Sequence, residues 1–369
     1  MSKIAIYGAG RYGESFLLAM KEDGIHADFF IDQYTKRNDV AGLPVYTIDQ
    51  VKNKEIKIHI SVAPNPRDTA ADTGIPEHLQ QHGYSNVYSF MQSLHAFPNF
   101  LPILAQHNLL WMSGQTSDMV DRHHIKNVKT LFREEKSIRL LDEIVAFREA
   151  LSPEAYVPPD NQEEYFPNDI DLFSSIDQLR FVDAGAYIGD TVRSAMSEFE
   201  KRHQPVEYIV SFEPDLQNAG RLGQEVQKQQ QEHPETRFIV HASGLWSKNA
   251  ILRFSNKGTS SSSIGNEFED PSSMIQIPVT SLDSSLIAAR SNYIKMDIEG
   301  AENEALRGAE EIISNQHPVL AICIYHQPAD LWEIPLLIHQ INPNYEMYLR
   351  VHGHMGLSTV LYCVPIHKR

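Results

Sequence analysis

In the second half of the chain, acidic residues and one histidine stand where apolar runs end. Phe181-Val182-Asp183-Ala184-Gly185-Ala186-Tyr187-Ile188-Gly189-Asp190-Thr191 reads as a buried strand that ends in an acid and turns through two glycines into a helix. Glycine permits positive φ and close approach of a ligand to the backbone. In a doubly wound sheet such a turn lies at the carboxyl ends of the strands, where ligands bind; a packed turn is the plainer alternative. SFEPD ends the next apolar run and puts Glu213 where a carboxylate accepts hydrogen bonds from two vicinal ribose hydroxyls. A glycine turn followed one strand later by an acid is a general nucleoside-binding arrangement. IKMDIEGAE brings Asp297 and Glu299 to the same rim, where an acid serves as general base, orients an ammonium or stabilises a sulfonium. The next run ends in Ile324-Tyr325-His326-Gln327-Pro328. Histidine titrates near neutrality, so His326 is a candidate to take a hydroxyl proton, or else a hydrogen-bonded strand end.

Near the start of the chain, Gly8-Ala9-Gly10-Arg11-Tyr12-Gly13 fits GxGxxG between an apolar run and a helical pattern, with Asp32 ending the next run. This is the dinucleotide fingerprint in the context it requires. Gly8, Gly10, Gly13 and Asp32 are therefore candidate ligand contacts, for a sugar nucleotide or for NAD, unless the turn serves packing alone. No hydride-transfer constellation such as Tyr-x-x-x-Lys accompanies it, which ranks an oxidoreductase low. His352 and His354 lie two apart on a strand-like segment and share a face. They lack a convincing third ligand, and no metal is expected. Cys323 and Cys363 sit inside apolar runs and read as buried thiols.

The elements that must position these residues follow from periodicity. KIAIYGAG, HADFFIDQ, IKIHISVAP and NVYSF read as strands, with helices over RYGESFLLAMKEDG and the second half of DTAADTGIPEHLQQHG. Ile138, Leu141, Ile144, Val145 and Leu151 recur at helical spacing within a mainly helical stretch. Pro153, Pro158, Pro159 and Pro167 then forbid a helix interior or central strand, giving a connector or a lid. Strand–helix alternation resumes at RFVDAGAYIGDT and runs through EYIVSFEPD, RFIVHASGL, NYIKMDIEG and PVLAICIYH. ILRFS and IQIPVTSL add two strands around the serine run TSSSSIG, a surface loop or one that closes over the site. EMYLRVHG and TVLYCVP form a closing hairpin around HMGLS. The expected architecture is α/β, two tandem Rossmann-like domains. The expected divisions are 1–105, a helical and proline-rich connector at 106–160, and a second domain at 161–369.

Lys plus Arg total 32 against 48 Asp plus Glu, a net charge of −16 that disfavours nucleic acid and anionic membranes as partners. No apolar stretch approaches the roughly 18 residues of a membrane span. The N-terminal run lacks a basic region and cleavage site, so a cytoplasmic protein without a signal peptide is expected.

VDAGAYIGDT, SFEPD, IKMDIEGAE, YHQPADLWEIP and the closing YLRVHG with VLYCVP, in that order, resemble the FkbM family of S-adenosylmethionine-dependent methyltransferases, over roughly Tyr165 to Val364. The resemblance implies a class I seven-stranded sheet whose last strand is antiparallel, and methyl transfer to an oxygen, often of a sugar. Asp183, Gly185 and Gly189 match the family's cofactor loop and Glu213 its ribose acid. With Ala186, Asp190, Thr191 and Asp215 they make up the expected cofactor contacts. Asp297 and Glu299 match the acidic signature; these two and His326 are the catalytic candidates, and the base stays open. The sulfonium methyl is expected at the rim between Asp183 and Asp297. FFIDQYTKRNDVAGLPVYTIDQV resembles the nucleotide-sugar-binding N-terminal domains of certain sugar acetyltransferases. The expected partner is a small-molecule or glycan acceptor, and a homo-oligomer is compatible with the sequence. The competing functions are a non-catalytic sugar-nucleotide module and an NAD-dependent oxidoreductase.

Overall fold

The computed structural model describes residues 3–64, 74–107, 109–110, 119–255, 274–285 and 290–366; the serine run TSSSSIG lies outside them. Two compact units result. The first comprises Met1–Val120, Asp142–Asn161 and Val351–Leu357, and the second comprises Asp121–Leu141, Gln162–Arg350 and Ser358–Arg369. Residues of the connector expected at 106–160 are shared between the two units.

The first unit holds β1 (Ile4–Tyr7), α1 (Arg11–Glu22), β2 (Phe29–Ile31), β3 (Asp39–Val40), β4 (Leu43–Tyr46), β5 (Lys57–Ile60), α2 (Ile75–Gln81), β6 (Asn86–Tyr88), α3 (Phe90–Ala96) and α4 (Phe100–Gln106). Its sheet runs β3-β4-β2-β1-β5-β6, parallel except for the β3–β4 pair. The central strands β1 and β2 are apolar because both faces are covered. Helix α1 buries Phe16, Leu17, Ala19 and Met20 on one face, as their spacing of three and four requires.

The second unit begins with α5 (Arg122–Lys129), and α6 (Glu135–Ala150) starts in it. Then follow β7 (Leu179–Ala184), α7 (Asp190–Lys201), β8 (Val206–Phe212), α8 (Leu216–Glu232), β9 (Arg237–His241), β10 (Gly244–Leu245), β11 (Ala250–Ser255) and β12 (Met274–Thr280). The chain continues through β13 (Tyr293–Met296), α9 (Glu302–Arg307), α10 (Glu310–Gln316), β14 (Val319–Cys323), α11 (Asp330–Ile341), β15 (Tyr345–Val351) and β16 (Thr359–Pro365). Seven strands form one sheet in the order β15-β16-β14-β13-β7-β8-β9. β13 pairs in parallel with both β7 and β14, and β16 runs antiparallel to β14. A class I methyltransferase sheet with an antiparallel last strand is therefore present. A separate three-stranded sheet, β10-β12-β11, contains the two extra strands and the short β10, which its two residues hid from the pattern.

Strands β13 and β14 are buried along their whole length, so every side chain they carry must find a partner. Arg350 on β15, 1% exposed, pairs with Glu134 at 2.6 Å and Asp169 at 2.9 Å. β15 ends at Val351, so His352 and His354 do not share a strand face; His354 opens a short 3-10 turn and hydrogen-bonds Tyr156. Cys323 and Cys363 are free and buried.

Candidate active site

The carboxyl ends of β7, β8, β13 and β14 form the rim of the second sheet. After β7 the chain turns through Gly185 (φ +75), Tyr187 (φ +49) and Gly189 (φ +90), and Gly189 caps α7. A Cβ at Gly185 would lie 1.8 Å from the Asp297 carbonyl oxygen, so this glycine lets two strand ends touch. Four of the turn's amides are already engaged. The N–H groups of Gly185 and Ala186 donate to Phe212 O, and that of Gly189 donates to Ala186 O. The Tyr187 N–H donates to Glu213 Oε2 at 2.9 Å. The other Glu213 oxygen accepts from Asp215 N at 2.9 Å. Glu213 is thus locked to the glycine turn at the end of β8. Burial pushes its carboxyl up to about 7, against the pull of the two backbone donors.

Two expected cofactor contacts have other roles. Asp215 caps α8, its Oδ1 accepting from Gln217 N and Asn218 N, and it is fully buried. Asp183 is also fully buried, below the rim, with Lys295 Nζ 3.1 Å from its Oδ1. The Lys295 ammonium also donates to the carbonyls of Ala184 at 3.1 Å and Gly185 at 2.7 Å, so three acceptors surround three protons. Strand alternation turns Asp183 and Lys295 toward each other across the β7–β13 pair, beneath the turn they support. Asp183 therefore lies below the rim, facing Lys295. Ala186 and Thr191 are buried; Gly185 and Asp190 are partly exposed.

Asp297, Glu299 and His326 do come together. Asp297 Oδ2 accepts from the Tyr165 hydroxyl at 2.9 Å and Oδ1 from the Tyr325 hydroxyl at 3.3 Å. His326 Nε2 lies 3.3 Å from Asp297 Oδ1 and 3.7 Å from Glu299 Oε2. His326 Nδ1 lies 3.1 Å from Glu302 Oε1. Glu302, wholly buried, accepts from the amides of Ile298 at 2.7 Å and Gly300 at 3.0 Å, which shapes the turn after β13. Burial alone lowers an imidazole's affinity for protons, but Glu302 and Asp297 on its two nitrogens outweigh it and raise His326 well above its ordinary value. Burial raises Asp297, yet the His326 hydrogen bond and the Lys295 charge hold it below the usual carboxylate range. Asp297, Glu302 and His326 bring donor atoms within 4.8 Å of one another, types that suit a divalent cation. Each ring nitrogen thus has a carboxylate oxygen within 3.3 Å. Lys295, Glu302, Tyr165 and Tyr325 were not singled out from the sequence. Lys295 and Glu302 flank the acidic signature, whereas nothing local ties Tyr165 to an acid 132 positions away.

In the first unit the glycine turn is intact. A Cβ at Gly13 would lie 2.0 Å from Gly8 O, whereas one at Gly10 would meet nothing within 4 Å. Gly10 is exposed and caps α1, whose first amides lack intrahelical partners. Asp32 is engaged by the loop backbone. Its Oδ2 accepts from Ala9 N, and its Oδ1 accepts from Tyr34 N and Thr35 N. Burial raises the Asp32 carboxyl, but these donors lower it further than that.

Among known proteins, the family model of the methyltransferase FkbM domain matches residues 183–354, the stretch that carries the rim. The crystal structure of a methyltransferase FkbM from Methylobacillus flagellatus KT superposes with a TM-score of 0.62 at 22% identity, covering 98% of this chain and 90% of that one. No curated protein matches in sequence. The fold is shared along both chains, and the family match falls on the seven-stranded sheet with its glycine turn and acidic rim. Residues 183–354 are similar to the methyltransferase FkbM domain, and together with the shared fold this supports a methyltransferase activity.

Proposed function

We propose that the protein transfers a methyl group from S-adenosylmethionine to a hydroxyl of a sugar or sugar-containing acceptor. The observation that carries this reading is Glu213, joined to the glycine turn through Tyr187 N at the carboxyl end of β8. The donor set fits the cofactor. A carboxylate locked there suits the ribose diol. Asp297 and Glu299 suit a cationic centre. Beside Glu213, the His241 ring stacks on Phe212 with centroids 4.9 Å apart, and its buried Nε2 has no partner among the described residues, which suits a heteroaromatic base. When bound, the cofactor supplies an electrophilic methyl on sulfur. The chain's contribution is to hold donor and acceptor together at the rim, and positioning of this kind accounts for much of the rate in two-substrate reactions.

The acceptor half of the reading rests on the first unit. The exposed N-terminus of α1 beside Gly10 favours phosphate oxygens, so a nucleotide-linked sugar is the acceptor class we favour. The test is incubation of the full chain with methyl-labelled S-adenosylmethionine and a panel of nucleotide sugars and free sugars. Alkali-stable label on a nucleotide sugar supports the proposal. Label found only on carboxyl or amine acceptors, or on none, contradicts it.

A further inference from the structure

The rim holds three carboxylates around one imidazole, and the imidazole has two nitrogens. Asp297 takes one at 3.3 Å and Glu302 the other at 3.1 Å. Glu299, at 3.7 Å from the nitrogen that Asp297 already holds, is left over. We propose that Glu299 is the general base that takes the acceptor hydroxyl's proton, and that His326 is a fixed imidazolium positioning it. This inference rests on the methyl-transfer reading above.

The other candidates are excluded by their contacts. A base needs a free lone pair on the accessible rim. Both His326 nitrogens face carboxylates, and the ring is 6% exposed. Asp297 accepts from two tyrosine hydroxyls and lies 3.3 Å from His326 Nε2. Glu302 is 0% exposed and bonded to two backbone amides. Glu299 is 29% exposed and accepts no hydrogen bond among the described residues. Its backbone has φ +56, a conformation that non-glycine residues rarely adopt and that clusters at functional sites. It stands at the start of the turn between β13 and α9, next to Gly300. The groups that act on it are His326, which favours its charge, and Asp297, Glu302 and Glu213, which oppose it. With burial as the largest influence, they push the carboxyl up to about 8. A base is most effective when it titrates near the working pH.

The step balances. The acceptor O–H bond breaks and its proton goes to a Glu299 oxygen. The oxygen's electron pair forms the new O–CH3 bond, and the C–S bond breaks with its pair left on sulfur as a neutral thioether. The carboxylate must therefore lie beside the transferring methyl, and this is testable without knowing the acceptor.

The probes are S-adenosylhomocysteine and sinefungin, whose amine stands where the methyl group would be. Their affinities for the full chain are measured by calorimetry from pH 6 to pH 9. For the wild type, the preference for sinefungin should grow about tenfold as pH rises through about 8, the scale of a charge-assisted hydrogen bond. In Glu299→Gln the preference should stay flat, while homocysteine-analogue affinity stays within about threefold of wild type, since only the charge changes. Glu299→Asp should restore part of the pH-dependent rise. A wild-type preference that is flat with pH, or one that rises equally in Glu299→Gln, overturns the assignment and leaves the methyltransferase reading standing. If neither probe binds the wild type, both readings fail together.

Discussion

Replacing Gly185 with alanine tests how the rim is assembled. The added Cβ would lie 1.8 Å from Asp297 O, 2.8 Å from Asp297 C and 3.3 Å from a methyl of Ile298. Ordinary contact is roughly 3.5 Å, so one strand end must retreat by more than about 1 Å. Alanine at φ +75 also carries a left-handed penalty of about 1–2 kcal/mol. Overpacking against backbone adds about 1–3 kcal/mol, and the two together give about 2–5 kcal/mol. Urea unfolding of the full chain should show this loss, with Gly10→Ala as control because its Cβ would meet nothing within 4 Å. A Gly185→Ala protein within about 0.5 kcal/mol of wild type, the range of a neutral surface change, would refute the reasoning. The sequence suggests that Gly185 keeps the backbone open to a ligand. The structure puts the neighbouring strand end in that space.

Other perturbations follow from the buried charges. His326→Gln leaves the buried Glu302 without its cationic partner and should cost about 3–5 kcal/mol. Because the folded state raises the imidazole pKa, this contribution is complete below the unfolded value of about 6.5 and is lost as pH rises through the folded value. The stability gap between wild type and His326→Gln, measured by urea unfolding, should therefore shrink from pH 6 to alkaline pH; a gap that widens contradicts the imidazolium. Arg350→Met should cost about 3 kcal/mol, near the lower limit for a broken buried pair, because Glu134 and Asp169 remain partly solvated. Equal stability of Arg350→Met would show that the three charges contribute no net attraction.

The strands were legible because a fully buried parallel sheet writes its interior as unbroken apolar runs. β8, read from EYIVSF, and β14, read from PVLAICIY, are examples. The glycine turns were legible as well, since few other residues tolerate their φ values. What local pattern does not encode is which way a strand-end acid faces. Asp183 and Glu213 both end apolar runs. Register turns Asp183 inward onto Lys295, while two backbone amides hold Glu213 at the rim. The pairing of His326 with Glu302 and of Asp297 with Tyr165 joins residues distant in the chain, which spacing cannot reveal. Asp215 is an acid after a strand and also the N-cap of the following helix, two roles that sequence position alone does not separate.

Cofactor binding by the full chain is the most direct test of the central claim. Calorimetry with S-adenosylmethionine on the wild type and on Glu213→Ala should show binding by the first and a loss of about 1.5–3 kcal/mol in the second, the scale of hydrogen bonds to a charged group. Wild-type affinity should strengthen as pH rises through about 7, because the Glu213 carboxylate is the acceptor. A folded Glu213→Ala protein that binds S-adenosylmethionine as tightly as wild type, or a wild type that does not bind it, would contradict the account.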